Sequence, residues 1–183
     1  VVNTNEACGA ERMVKASLIF PATAEEMATI SKRVDVAGGV STNSDNWGYN
    51  FLAKGLAEYR QGNYDAATHL LQIILPEDIG SQPRAEAYLI LAMAQYRLNQ
   101  LDASRVSFAK AMAIVNRLPK AGGLDDDWND WIIVHVLLRE ASALNPSFGN
   151  SAAAAPEIER PWRREAFTKA DGKFKSEKQH AGT

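Results

Sequence analysis

Residues 51–67, FLAKGLAEYRQGNYDAA, return 37 positions later as residues 88–104, YLILAMAQYRLNQLDAS. The alignment needs no gap. Phe51 meets Tyr88, Gly55 meets Ala92, and Tyr59-Arg60 meets Tyr96-Arg97. Tyr64-Asp65-Ala66-Ala67 meets Leu101-Asp102-Ala103-Ser104, and a little further on Leu71 meets Phe108. A period of this size marks a small supersecondary unit that buries its apolar face against the next copy.

Each copy reads as two helices. Phe51, Leu52, Leu56 and Tyr59 recur with a helical period over residues 48–61. Gly62-Asn63 interrupts the pattern, as turn residues do. Ala67, Leu70, Leu71 and Ile74 resume it over 64–75, before Pro76 and Gly80. The second copy runs over 84–98, turns at Asn99-Gln100 and continues over 101–116, in strong helix formers. Lys54 and Glu58 stand four apart on one helix and are expected to pair.

The flanks look like a weaker version of the same unit. Helices are expected over 9–19 and 23–36, the second opened by Thr23 as N-cap with Glu26 three residues on. Gly38-Gly39 and the polar run 41–46 read as a linker. After a loop at 119–123, a helix is expected over 126–144, stopped by Asn145-Pro146. The domain organisation expected is therefore a degenerate N-terminal hairpin and linker (1–46), two repeats (47–120), a C-terminal capping helix (121–146) and a flexible tail (147–183). Seven Lys or Arg against five Asp or Glu make residues 151–183 mildly basic; the alternative to a flexible tail is a short helix docked on the bundle through Trp162 and Phe167.

Bulk properties exclude several function classes. The chain has 183 residues, 46% hydrophobic and 23% charged, enough for one core. A formal charge of −2 gives no general attraction to phosphate backbones, so no nucleic-acid partner is expected. The one cysteine, Cys8, cannot form an internal disulfide. No apolar run approaches the roughly 18 residues of a membrane span, so no membrane insertion is expected. The chain opens at Val1 with no leader pattern and is expected to be a segment of something longer.

The two units resemble the tetratricopeptide repeat (TPR). That family places a small residue mid-way along its first helix, a glycine-aromatic turn, then alanine and a large apolar residue in the second helix. Here those are Gly55, Gly62, Tyr64, Ala67 and Leu71, then Ala92, Leu101, Ser104 and Phe108. The family period is 34 residues; the surplus of three falls in the 76–83 loop, where insertions are tolerated. Asn99 replaces the turn glycine of the second unit. The resemblance implies an all-α, right-handed α-solenoid of TPR-like hairpins with a C-terminal capping helix. About three repeats are needed for stability, and the degenerate hairpin completes that number.

A narrower resemblance covers residues 8–144. The strings FLAKGLAEYRQGNYDAA, AYLILAMAQYRLNQLDASR and DDDWNDWIIVHVLLREA are similar to the C-terminal repeat segment of large bacterial serine/threonine protein kinases. It implies a non-catalytic segment of a kinase. The kinase chemistry is absent from these residues: there is no G-x-G-x-x-G, no His-Arg-Asp and no Asp-Phe-Gly. The compartment expected is the cytoplasm, or the far side of the membrane if the parent carries an upstream span.

Other constellations carry little chemistry. Asp125, Asp127 and Asn129 fit the first three ligand positions of a calcium loop, but Asp130 stands where its glycine belongs and Val136 where its bidentate glutamate belongs. Helix capping is the expected role of the acidic run. His69, His135 and His180 have no metal-site spacing, and His135 is expected to pack. Trp128 and Trp131 are expected to plug the end of the stack. No metal or other cofactor and no catalytic residue is expected.

The functional candidates follow from the TPR resemblance, whose peptide ligands lie along the concave face of the first helices. Transferred residue by residue, that face is Leu52, Leu56, Tyr59 and Arg60, then Leu89, Met93, Tyr96 and Arg97. Two Tyr-Arg pairs along a groove suit a protein or peptide partner with acidic groups, because arginine forks match carboxylates. The expected function is thus a protein-protein interaction module, adaptor or regulatory segment. The alternative is a purely intramolecular extension of a kinase.

Overall fold

The computed structural model describes residue 11, residues 13–38, 47–118, 128–145 and residue 148. These belong to the first of two compact units, Val1–Ala153; the second, Ala154–Thr183, lies outside the described residues, with Trp162 and Phe167. The described residues are helical and contain no strand. The helices are α1 (residues 13–18), α2 (Ala24–Gly38), α3 (Trp47–Gln61), α4 (Tyr64–Ile74), α5 (Ser81–Arg97), α6 (Leu101–Val115) and α7 (Trp128–Leu144).

Local chemistry sets the helix ends. At the start of α2 the capping box is formed: Thr23 N donates to Glu26 Oε2 at 2.7 Å, and Glu26 N donates to Thr23 Oγ1 at 3.3 Å. Hydrogen bonding from the Thr23 backbone, and then from its side chain, holds the exposed Glu26 carboxyl below its ordinary value. The two internal turns share one geometry, 37 residues apart. In the first, Gly62 N donates to Tyr59 O at 3.1 Å and Asn63 N to Glu58 O at 2.9 Å. In the second, Asn99 N donates to Tyr96 O at 3.0 Å and Gln100 N to Gln95 O at 2.8 Å. This is the Schellman closure, which needs a left-handed residue just past the helix. Gly62 takes it with φ 85°, and Asn99 with φ 60°. Asparagine is among the few side chains that tolerate that region, so the loss of glycine in the second unit leaves the turn intact.

The repeat signature also explains the packing of each hairpin. A Cβ on Gly55 would stand 3.0 Å from Leu71 Cδ2 and 3.1 Å from its Cγ, so α3 and α4 meet across a bare backbone. In the second hairpin Ala92 leaves its carbonyl open to Ser104 Oγ, which donates to it at 2.7 Å. Gly55→Leu is therefore expected to cost about 2 kcal/mol through overpacking, read as a lower urea midpoint at unchanged slope.

The hairpins α3–α4 and α5–α6 pack in series, α5 resting on both α3 and α4, while α2 packs on α3. The core lies between them: Leu52 and Leu56 of α3, Leu89, Ile90 and Met93 of α5, Leu71 of α4 and Phe108 of α6 are buried. Helix α7 packs along α5, bringing Val134 and Leu137 into the same core. Val14 and Leu18 of α1 are buried too. Phe148, just inside the segment expected to be tail, is buried, stacked on Phe108 at 4.3 Å and edge-on to Tyr96 at 6.5 Å. The Lys54–Glu58 pair is not formed among the described contacts. Glu58 Oε2 instead accepts from Asn63 Nδ2 at 2.8 Å, which ties the side chain to the turn.

Candidate functional site

The eight residues transferred from the repeat resemblance do not share one environment. Leu52, Leu56, Leu89 and Met93 are fully buried, and Tyr59 nearly so. Tyr96 is half-buried against Phe148, and Arg97 is exposed. The two Tyr-Arg pairs, equal in sequence, have diverged in structure.

Arg60 shows why. Its Nη1 and Nη2 donate to Glu140 Oε1 and Oε2 of α7 at 2.5 and 2.7 Å, a bidentate fork. Its Nε and Nη2 also donate to the carbonyls of Leu18 and Ile19, at 2.9 and 3.1 Å. Those carbonyls close α1, where a cation is favoured by the helix dipole. One guanidinium thus joins α1, α3 and α7. Tyr59 completes the arrangement: its hydroxyl lies 3.5 Å from Glu140 Oε1 and 3.6 Å from Met93 Sδ. Burial and the Glu140 charge push its phenol up to about 12, against the pull of Arg60 and Arg97. Tyr59 is a neutral hydrogen-bonding group and no acid or base at physiological pH.

A second polar centre joins α1 and α7 to α5, and sequence reasoning missed it. Lys15 Nζ lies 2.7 Å from Asp130 Oδ1 of α7, 3.0 Å from Glu11 Oε1 and 3.7 Å from Glu86 Oε2 of α5. The Tyr49 ring of α3 is 6.0 Å away. The Lys15 and Glu86 side chains are only 4% and 1% exposed. Burial works against the Lys15 charge, yet the three carboxylates outweigh it and hold the amine above its ordinary value. Burial pushes the Glu86 carboxyl the other way, up to about 8, helped by Asp130 and Glu11 and opposed by Lys15. The one local signal was the i,i+4 spacing of Glu11 and Lys15.

His135 is half-buried, with its ring 4.0 Å from that of Trp131, and burial holds its imidazole below the ordinary value. His69 is exposed. Cys8, His180, the acidic run Asp125 to Asp127 and the Trp128 side chain lie outside the described residues. Among the described residues no group of three or more His, Cys, Asp or Glu is placed to hold a metal ion. None of the described helices is long and apolar enough to cross a membrane. On the opposite side of α5 an open groove of about 580 Å³ runs between α4 and α6, lined by Leu75, Tyr88, Leu91, Val106 and Lys110 among others.

No family model, curated protein or solved structure matches this chain.

Proposed function

We propose that this chain is a non-catalytic helical-repeat module of the TPR type, a structural and regulatory segment of a larger protein, with its inner face closed by its own α7. The observation that carries this reading is the seat of Arg60. The resemblance offers that guanidinium to a partner's acidic group, and here it holds the Glu140 carboxylate of the same chain. With Leu52, Leu56, Leu89 and Met93 also buried, the intramolecular reading has more support than an open peptide groove. The kinase parentage is part of the same proposal and rests on the three sequence strings alone.

Binding of an acidic partner is the second reading, and it is favoured by one observation. Arg97, the repeat counterpart of Arg60, is exposed beside the half-buried Tyr96. That leaves Tyr96 and Arg97, without the buried Leu89 and Met93, as the surface for a protein partner.

Two measurements separate the readings. In a double-mutant cycle, Arg60→Ala and Glu140→Ala are expected to couple by about 1–2 kcal/mol, as hydrogen-bonded charges do; additive losses would remove the cis closure. A quantitative pull-down from the source cell then compares the native chain with Glu140→Gln and with the Tyr96→Ala/Arg97→Ala pair. Capture by neither the native chain nor Glu140→Gln fits the intramolecular role. A partner lost only with Tyr96 and Arg97 makes the chain an adaptor.

A further inference from the structure

Four ionisable groups from three parts of the chain, one amine and three carboxyls, meet at the junction of α1, α5 and α7. Lys15 supplies one positive charge; Glu11, Glu86 and Asp130 supply three carboxyl groups. Asp130 and Glu11 take the short contacts, at 2.7 and 3.0 Å. Glu86 is left at 3.7 Å, beyond a good hydrogen bond, and its Oε1 has no hydrogen-bond partner among the described residues. Its side chain is also the most deeply buried of the four. An ionised carboxylate in that position is costly, because it is dry, under-bonded and next to two like charges.

We propose that this cluster is a proton-operated latch: α1 and α7 close on α5 while Glu86 carries a proton, and their hold weakens as the proton is lost. Away from the cluster, α5 carries Arg84, paired with Asp78, and the exposed Arg97, while Lys110 of α6 stands over Tyr88 and His135 of α7 packs on Trp131. Tyr49 is the titratable group turned to the cluster from α3. The buried residues of α4 are Ala67, Leu71 and Ile74, and α6 presents the hydroxyls of Ser104 and Ser107. Opening of the latch withdraws Glu140 from Arg60 as α7 leaves, and so uncovers Tyr59 and Met93. The latch depends on the placement of the four groups and holds whether or not the inner face meets a partner.

The sign of the linkage is fixed by the direction in which burial moves Glu86. Its carboxyl rises from 4.5 when exposed to about 8 in the closed junction. The contribution of Glu86 to closure is then at full strength below pH 4.5, weakens as pH rises towards 8, and levels off above it. One proton gives at most about a tenfold change in the opening equilibrium per pH unit in that window.

The test is hydrogen exchange of the full chain between pH 5 and 9, corrected for the intrinsic exchange rate, with α6 as internal reference. In the native chain, protection of α7 and α1 relative to α6 is expected to fall severalfold per pH unit up to about pH 8 and then level off. In Glu86→Gln it is expected to stay flat. Asp130→Asn, at a more exposed position, removes one repelling charge and leaves Lys15 freer to pair with Glu86, so its fall should level off at a lower pH. A native chain with flat relative protection overturns the latch. So does an equal fall in Glu86→Gln, or a parallel loss in α6, which would put the proton's effect on the whole fold. If Glu86→Gln does not fold, the Asp130→Asn profile decides: a plateau at the native pH overturns the proposal.

Discussion

Lys15→Ala is expected to cost the fold about 3–5 kcal/mol at neutral pH, the loss typical of breaking a buried ion cluster by removing one partner. The reason is what remains. Without the amine, Glu11, Glu86 and Asp130 lose the cation they share. The sign with pH follows. The carboxylates hold Lys15 above its ordinary 10.5, so the amine itself stays charged and loses its proton only in strong alkali. The mutant's deficit should therefore narrow in acid for a different reason: protonated carboxyls no longer repel. Adding Glu86→Gln to Lys15→Ala is expected to return part of the loss, because a glutamine, unlike Glu86, takes up no proton on burial. Urea unfolding at pH 5 and pH 7.5 reads both effects. Equal deficits at the two pH values, with no rescue by Glu86→Gln, would leave lost packing of the lysine stem as the cause.

Phe148→Ala is expected to cost about 3–4 kcal/mol, although it lies past the last repeat. Its ring stacks on Phe108 at 4.3 Å with an interplanar angle of 8°, and meets Tyr96 at 6.5 Å. Both Phe148 and Phe108 are 2% exposed, so truncation opens a cavity against the α5–α6 hairpin that rigid helices cannot fill. Phe148→Leu keeps most of the volume and is expected to lose under about 1.5 kcal/mol. The comparison is a thermal or urea midpoint for the two variants. A loss below about 1 kcal/mol for the alanine variant would mean that the end of the stack is held by other contacts.

Much of the architecture was legible before any coordinates. The helix pattern follows from apolar spacing three and four residues apart, and observed bounds lie close to those expected: 64–75 against Tyr64–Ile74, 101–116 against Leu101–Val115. The capping box of Thr23 and Glu26 and the two turns at Gly62 and Asn99 are closed by bonds within six residues. Such features depend on neighbours in the chain, so a short string contains all the atoms that decide them. The small residue at Gly55 belongs here as well, since the hairpin that needs it spans only α3 and α4.

The site was not legible in the same way. Tyr59-Arg60 and Tyr96-Arg97 are identical pairs, and nothing local distinguishes them. Glu140 does, from 80 residues away, by reaching one arginine and not its copy. Asp130 meets Lys15 across 115 residues. Glu86 sits inside α5, where its spacing gives no hint of burial. Apolar spacing and the 37-residue repeat carry the all-helical character of the described residues and their two equivalent hairpins. Which of the equivalent residues face water, and which close on α1 and α7, was decided by the tertiary structure. Helix periodicity is a property of the backbone, whereas the burial of a charge depends on which distant helix arrives to cover it and what counter-charge it carries.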